Sequence, residues 1–139
     1  MSPNPAPDPG DLLAMMPYAA GLGMTVEQAS AECVRASLPW AAGVCTSGGI
    51  MHGGALMSLA DTAGAICAVL NLPDGAGTAT VESKTNFFRA VREGSARATA
   101  RPLHVGRSFI VVQTDLEDDR GKRVGQTTQT QAVLAPRGT

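Results

Sequence analysis

The sequence predicts an α+β domain in which one antiparallel sheet wraps around a single long helix. Three observations lead there. Residues 53–70 contain no Lys, Arg or Glu, and Asp61 is the one charged side chain in that run; a helix that is apolar on nearly all faces is a buried one. After Gly77 the chain turns to four β-like segments joined by short turns, and short consecutive connections imply antiparallel pairing. Two further strand-like segments precede the helix, so strands from both sides of it close over the same apolar cylinder.

In chain order, residues 1–10 carry Pro3, Pro5, Pro7 and Pro9 and predict an extended or disordered tail, followed by a single domain over residues 11–136. Asp11 is placed to cap a short helix through Met16, which Pro17 ends. Residues 22–29 and 31–39 alternate loosely and form a first strand pair. Residues 41–51 are a Gly/Ser/Thr loop leading into the long helix, which Asn71, Pro73, Asp74, Gly75 and Gly77 terminate. Residues 78–90 set Ala79, Val81 and Ser83 against Thr80, Glu82 and Lys84, with Glu82 and Lys84 a solvated pair on one face. Residues 95–104 set Ala96, Ala98 and Ala100 against Arg97, Thr99 and Arg101. Gly94 and Gly106 mark turns, and residues 108–116 are the most apolar strand. Asp118-Asp119-Arg120-Gly121-Lys122 is a hairpin signal before a last strand over residues 124–134. There is no internal repeat.

Composition excludes several classes of function. The chain has 139 residues, 44% hydrophobic and 17% charged, which suits one globular domain with a sizeable core. A net charge of −1 argues against a nucleic-acid partner, which calls for a basic excess. No apolar run approaches the ~20 residues of a membrane span. The first Lys or Arg is Arg35, so the basic start of an export signal is missing. The expectation is a cytoplasmic protein with no membrane partner. Cys33, Cys45 and Cys67 lack metal-type spacing, and His52 and His104 lack a third ligand, so no metal is expected. Cys33, in a strand, and Cys67, on the helix, read as buried reduced thiols. Cys45, in the loop, is a nucleophile only if His52 serves it as base.

The chemistry concentrates at the start of the long helix. A carboxylate such as Asp61 inside an apolar run is costly unless paired, hydrated or put to use. Gly53 and Gly54 leave backbone N–H groups uncovered at the helix start, ready to face a carbonyl oxygen or an anion. His52 reads as shaping that start through a local hydrogen bond, with a base role as the alternative.

These residues carry a family resemblance. His52-Gly53-Gly54 with Asp61 eight residues after Gly53, then Asn86-Phe87-Phe88-Arg89 and Leu103-His104-Val105-Gly106-Arg107, together with the order of elements, resemble the hotdog-fold acyl-CoA thioesterases. The likeness is to their PaaI-like group and extends over roughly residues 12–135. It implies the hotdog fold and hydrolysis of an aryl or short- to medium-chain acyl-CoA to free acid and CoA. No metal or redox cofactor is implied; coenzyme A enters as part of the substrate. It implies that the Gly53 N–H polarises the thioester carbonyl at the positive end of the helix. Asp61 then acts as general base for water or as a nucleophile forming an anhydride. Thr46 stands where family members commonly carry Asn or Gln, with Ser47 beside it, and Thr80 matches a hydroxyl that orients the attacking water. Gly54, Asn86, Arg89, Arg107 and Ser108 are the implied substrate-binding residues. Arg89, Arg92 and Arg107 are the candidates for the CoA phosphates, Arg107 foremost because of the Gly106 turn before it. Met15, Met16, Met51 and Met57 fit an acyl pocket or, more plainly, core packing.

Eight helical residues span about 12 Å, too far for Gly53 and Asp61 of one chain to act on one carbonyl. Family members form dimers that often associate into tetramers, and the expectation is a site shared between protomers. Two rivals stay open. A hotdog dehydratase or hydratase uses a His-plus-acid pair, for which His52 and His104 are available. A non-catalytic acyl-CoA sensor is the other, although a pure binder has little reason to keep Asp61. An acyl-carrier protein in place of CoA also stays open.

Overall fold

The computed structural model describes residues 7–136. It begins with two short helices. In α1 (Pro9–Ala14), Pro9 fills the first helical turn and the Asp8 carboxylate caps it, accepting from the Gly10 N–H at 2.7 Å. The cap is therefore Asp8 rather than Asp11, and the helix starts inside the segment expected to be a tail. Residues 1–6 of that segment lie outside the described residues. Pro17 opens α2 (Pro17–Leu22); its fixed φ and missing N–H suit a first helical position as well as they end the helix before it. Gly23 closes α2 at φ 91°, in the left-handed region. Leu22 thus ends a helix, and strand β1 spans Thr25–Ala29.

The remaining strands are β2 (Val34–Pro39), β3 (Gly77–Phe87), β4 (Ser95–Val105), β5 (Phe109–Glu117) and β6 (Arg123–Leu134), with α3 (Gly53–Val69) between β2 and β3. Cys33 falls just before β2 rather than within a strand. The sheet order is β1-β2-β4-β5-β6-β3, antiparallel throughout. α3 lies against one face, the α+β arrangement that the pattern predicts. Ala96, Ala98 and Ala100 of β4 are buried as expected, with Ile110, Val112 and Leu116 of β5 and Leu56, Leu59, Ala63 and Ile66 of α3. The small alanines bring the helix close to the sheet centre. Each buried large aliphatic side chain contributes about 1.5–3 kcal/mol.

Two features set up the site. α3 is not buried all round. Met57, Asp61 and Val69 are exposed, and Gly54, Ser58 and Ala65 are half-buried between them, a stripe at helical spacing left open by this protomer. The second feature is β3, an edge strand broken by a bulge between Thr80 and Glu82. Thr80, Ser83, Thr85 and Phe87 pair with Gln131, Gln129, Thr127 and Gly125, the buried positions of β6. Ala79, Glu82, Lys84 and Asn86 pair with Ala132, Thr130, Thr128 and Gln126 on the outer face. Glu82 and Lys84 do share a face, but Thr80 is not on it. The extra residue, Val81, is 60% exposed and inverts the alternation across the bulge. Among the described residues no helix is long and apolar enough to cross a membrane.

Candidate active site

The loop into α3 is pinned by three backbone bonds: Thr46 N–H to Ile50 O, Met51 N–H to Val91 O and His52 N–H to Val44 O, each 2.8 Å. His52 is thereby held as the cap of α3, and its Nδ1 accepts from the Gly54 N–H at 2.7 Å. This is the local bond expected of His52, and it commits the ring nitrogen that faces the helix. It also occupies the Gly54 N–H, so that donor is not free for a substrate. The Gly53 N–H, by contrast, has no acceptor among the described residues.

Gly53 opens on a cleft of about 380 Å³ whose walls include Thr46, Leu56, Phe87, Phe88 and Arg89. The Phe87 ring covers the glycine: a Cβ there would stand 3.2 Å from Phe87 Cζ. An unpaired donor at a helix N-terminus, apolar walls and a single arginine together suit a carbonyl oxygen carried on an apolar group.

Asp61 lies in a second cleft, of about 250 Å³, with Tyr18, Met57, Ser58, Thr62 and Ser83. Ser58 Oγ donates to Gly54 O at 2.8 Å, so at the 3.0 Å contact between Tyr18 Oη and Ser58 Oγ the phenol is the donor. The carboxylate accepts one side-chain bond, from Gln129 Nε2 to Oδ1 at 3.4 Å. Burial pushes the Asp61 pKa above the ordinary carboxylate range, and the Gln129 bond pulls it partly back. Asp61 is nevertheless exposed in the protomer, because it sits on the open stripe of α3 and not on its packed face.

The two clefts share no lining residue. Within one protomer Thr46 and Arg89 join Gly53, while Asp61 stands apart. Thr80 does not line the Asp61 cleft; the bulge hands that place to Ser83. Asn86 faces the outer side of the sheet, opposite to Phe87. Arg107 and Ser108 sit in the β4–β5 turn, next to the row Ala79–Ala132–Phe109, whereas Phe87 pairs with Gly125. Seven residues of β6 separate those rows, about 23 Å, so this turn belongs to the opposite end of the sheet from Gly53.

Cys45 and His52 line a third cleft, but Cys45 Sγ donates to Ala41 O at 3.2 Å and His52 Nδ1 is committed to Gly54. Cys33 and Cys67 are buried free thiols, and burial pushes Cys67 up to about 11, away from reactivity. Tyr18, Ser83 and Gln129 were not among the residues singled out from the sequence. The one available signal was a run of Gln and Thr through the last strand, polar on both faces.

The thioesterase superfamily profile matches residues 48–124, from the loop before α3 to the start of β6. The proofreading thioesterase EntH of Cronobacter sakazakii is 28% identical over 113 residues, 81% of this chain and 82% of its own. The 1,4-dihydroxy-2-naphthoyl-CoA hydrolase of Escherichia coli is 31% identical over 86 residues, 62% of this chain and 63% of its own. The crystal structure of a variant thioesterase from Pseudomonas aeruginosa superposes with a TM-score of 0.88 at 29% identity, covering 94% of this chain and 96% of that one. The hotdog fold expected from the resemblance is the fold of these neighbours. The chain belongs to the thioesterase superfamily and is a thioester hydrolase.

Proposed function

We propose that the chain is an acyl-CoA thioesterase of the PaaI-like kind, acting in the cytoplasm on aryl or short- to medium-chain acyl-CoA at a site shared by two subunits. The observation that carries this reading is the separation of Gly53 and Asp61 into two clefts that share no lining residue. The Gly53 N–H of one subunit polarises the thioester carbonyl. Asp61 of the other takes a proton from water as the water oxygen attacks the carbonyl carbon, or attacks that carbon itself. In the first case the C–S bond breaks as the proton on Asp61 passes to the departing CoA sulfur. In the second CoA leaves as the thiolate, and water then cleaves the Asp61 anhydride to free acid, its proton neutralising the thiolate. The Ser83 hydroxyl, beside Asp61, orients the water in the role first given to Thr80.

The β3 edge supports the pairing. It offers a row of unpaired backbone groups with Val81 outward, which a second copy in antiparallel orientation would satisfy. Such a two-fold brings the β4–β5 turn of one copy, with Arg107 and Ser108, toward the Phe87–Arg89 end of the other, where both arginines could meet the CoA phosphates. The dimer is the minimal active unit, and a tetramer would repeat it. The name of the E. coli relative identifies an aryl-CoA as its substrate, which supports aryl thioesters for this chain. The His-plus-acid chemistry of a dehydratase is disfavoured by the bond that commits His52 to the backbone.

The test is free-thiol release from phenylacetyl-, hydroxybenzoyl- and C2 to C16 acyl-CoAs by wild type and Asp61→Asn side by side. Release that the substitution abolishes is the expected result. Tight acyl-CoA binding without release from any substrate would point to a sensor and overturn the proposal.

A further inference from the structure

We infer that Gln129 is a positioning residue for the reaction: from inside the sheet, its side-chain amide holds the Asp61 carboxylate ionised and aimed into the cleft. The inference rests on the reading of Asp61 as base or nucleophile. Gln129 lies on the inner face of β6, fully buried, and its Nε2 is the one side-chain donor to Asp61 among the described residues. Its Oε1 is buried without a partner. Gln131 Oε1, on the same face of β6, is likewise without a protein partner, so what sets Gln129 apart is that its amide reaches a carboxylate. The orientation of the amide follows from its neighbour, since exchanging oxygen and nitrogen would set two oxygen acceptors against each other.

The helix is cut to fit this side chain. Gly64, three residues after Asp61, lies where Gln129 crosses α3, and a methyl group there would overlap Oε1. Glycine inside a helix costs stability relative to alanine, so the notch and the amide are a matched pair. Among the described residues of the protomer no Lys or Arg lines the Asp61 cleft. Facing Asp61 are Tyr18 from α2, Ser83 from β3, Met57, Ser58 and Thr62 from α3 and Gln129 from β6; Tyr18 is the one other titratable group, and its phenol is turned to Ser58. Within one protomer, opposing the desolvation of the carboxylate therefore falls to Gln129.

The experiment compares pH profiles of kcat/KM on an acyl-CoA substrate for wild type, Gln129→Met, Gly64→Ala and Asp61→Asn, with thermal melts to confirm folding. Gln129→Met should move the acid limb upward by about one pH unit, a loss of about tenfold on the acid side. Activity should return to within about twofold on the alkaline plateau with KM unchanged. A merely structural role would lower the whole profile instead. Gly64→Ala should move the limb in the same direction with both interacting residues intact, and it carries the test if Gln129→Met fails to fold. An unmoved acid limb in both variants, with Asp61→Asn inactive, overturns the inference. If Asp61→Asn keeps its turnover, the catalytic reading of Asp61 fails instead. The coupling is then judged by 13C NMR titration of the Asp61 carboxyl, which should rise in Gln129→Met; no rise overturns it.

Discussion

The ring of Phe87 covers Gly53 so closely that a Cβ on the glycine would stand 3.2 Å from Phe87 Cζ. Strand β3 thereby walls the first turn of α3, and only a residue without a side chain leaves the Gly53 N–H open to a carbonyl oxygen. The relationship ties a backbone donor on a helix to an aromatic side chain at the end of an edge strand.

Gly53→Ala should therefore act on catalysis more than on folding. Alanine suits a helix start, but its methyl displaces the ring and narrows the approach to the donor. Turnover should fall by about 10²–10³, the usual cost of losing one carbonyl-polarising donor. The thermal midpoint should stay within about 3 °C. Steady-state kinetics and a melt check both numbers, and near-normal turnover would remove Gly53 from the mechanism.

His52 should behave as a cap. His52→Ala leaves the Gly54 N–H without its 2.7 Å acceptor and should cost about 1 kcal/mol of stability. His52→Ser or His52→Asn supplies a new capping oxygen and should restore most of it, with turnover within about tenfold of wild type. Urea unfolding beside a turnover assay separates the roles: a stable His52→Asn that is inactive would make His52 a catalytic group.

How far the sequence could be read depended on whether local chemistry or tertiary packing decided each position. The long helix was legible because no Lys, Arg or Glu interrupts its small and apolar residues: residues 53–70 were expected and Gly53–Val69 is found. The alanines of β4 were legible because Ala96, Ala98 and Ala100 strictly alternate with the polar Arg97, Thr99 and Arg101. Asp61 stood out as a lone charge, although its exposure did not, since which stripe of an all-apolar helix stays open depends on what the sheet covers. The bulge at Val81 carries no Gly or Pro to announce it, and residues 78–85 fit a strand on either register. Ser83 could therefore not be chosen over Thr80. Gln129 was hidden for a similar reason: with Gln and Thr on both faces of β6, only contact with α3 shows which face is buried. At the N-terminus Asp8 and Asp11 are both good caps, and Pro9 at the first helical position decides between them.

Asp61 should cost stability at the pH where it works. Burial raises its pKa above the ordinary value of 3.8, so the folded state holds the proton more tightly than the unfolded chain. That contribution to stability is fully present below the unfolded pKa and is lost as pH rises through the folded one. Asp61→Asn should melt at the same temperature as wild type or up to about 3 °C higher at pH 7. The difference should vanish below about pH 4. Melts across pH check the sign, and a destabilised Asp61→Asn at neutral pH would mean that the carboxylate is structural.

A site shared between subunits makes a quantitative demand on mixtures of dead variants. Gly53→Ala spoils the donor and Asp61→Asn spoils the carboxylate, so each homodimer has two damaged sites. In a mixed dimer one site pairs the intact Asp61 of the first subunit with the intact Gly53 of the second. The other site collects both lesions. Random exchange of equal amounts gives about half mixed dimers, each with one intact site of two, so about a quarter of wild-type activity should return. If each site were built within one protomer, mixing would restore nothing, because every site would still carry one lesion. Co-refolding the two variants and following thiol release against the unmixed controls makes the measurement. A return near one quarter would locate Gly53 and Asp61 on opposite sides of one interface, and activity no higher than the controls would end the shared-site reading.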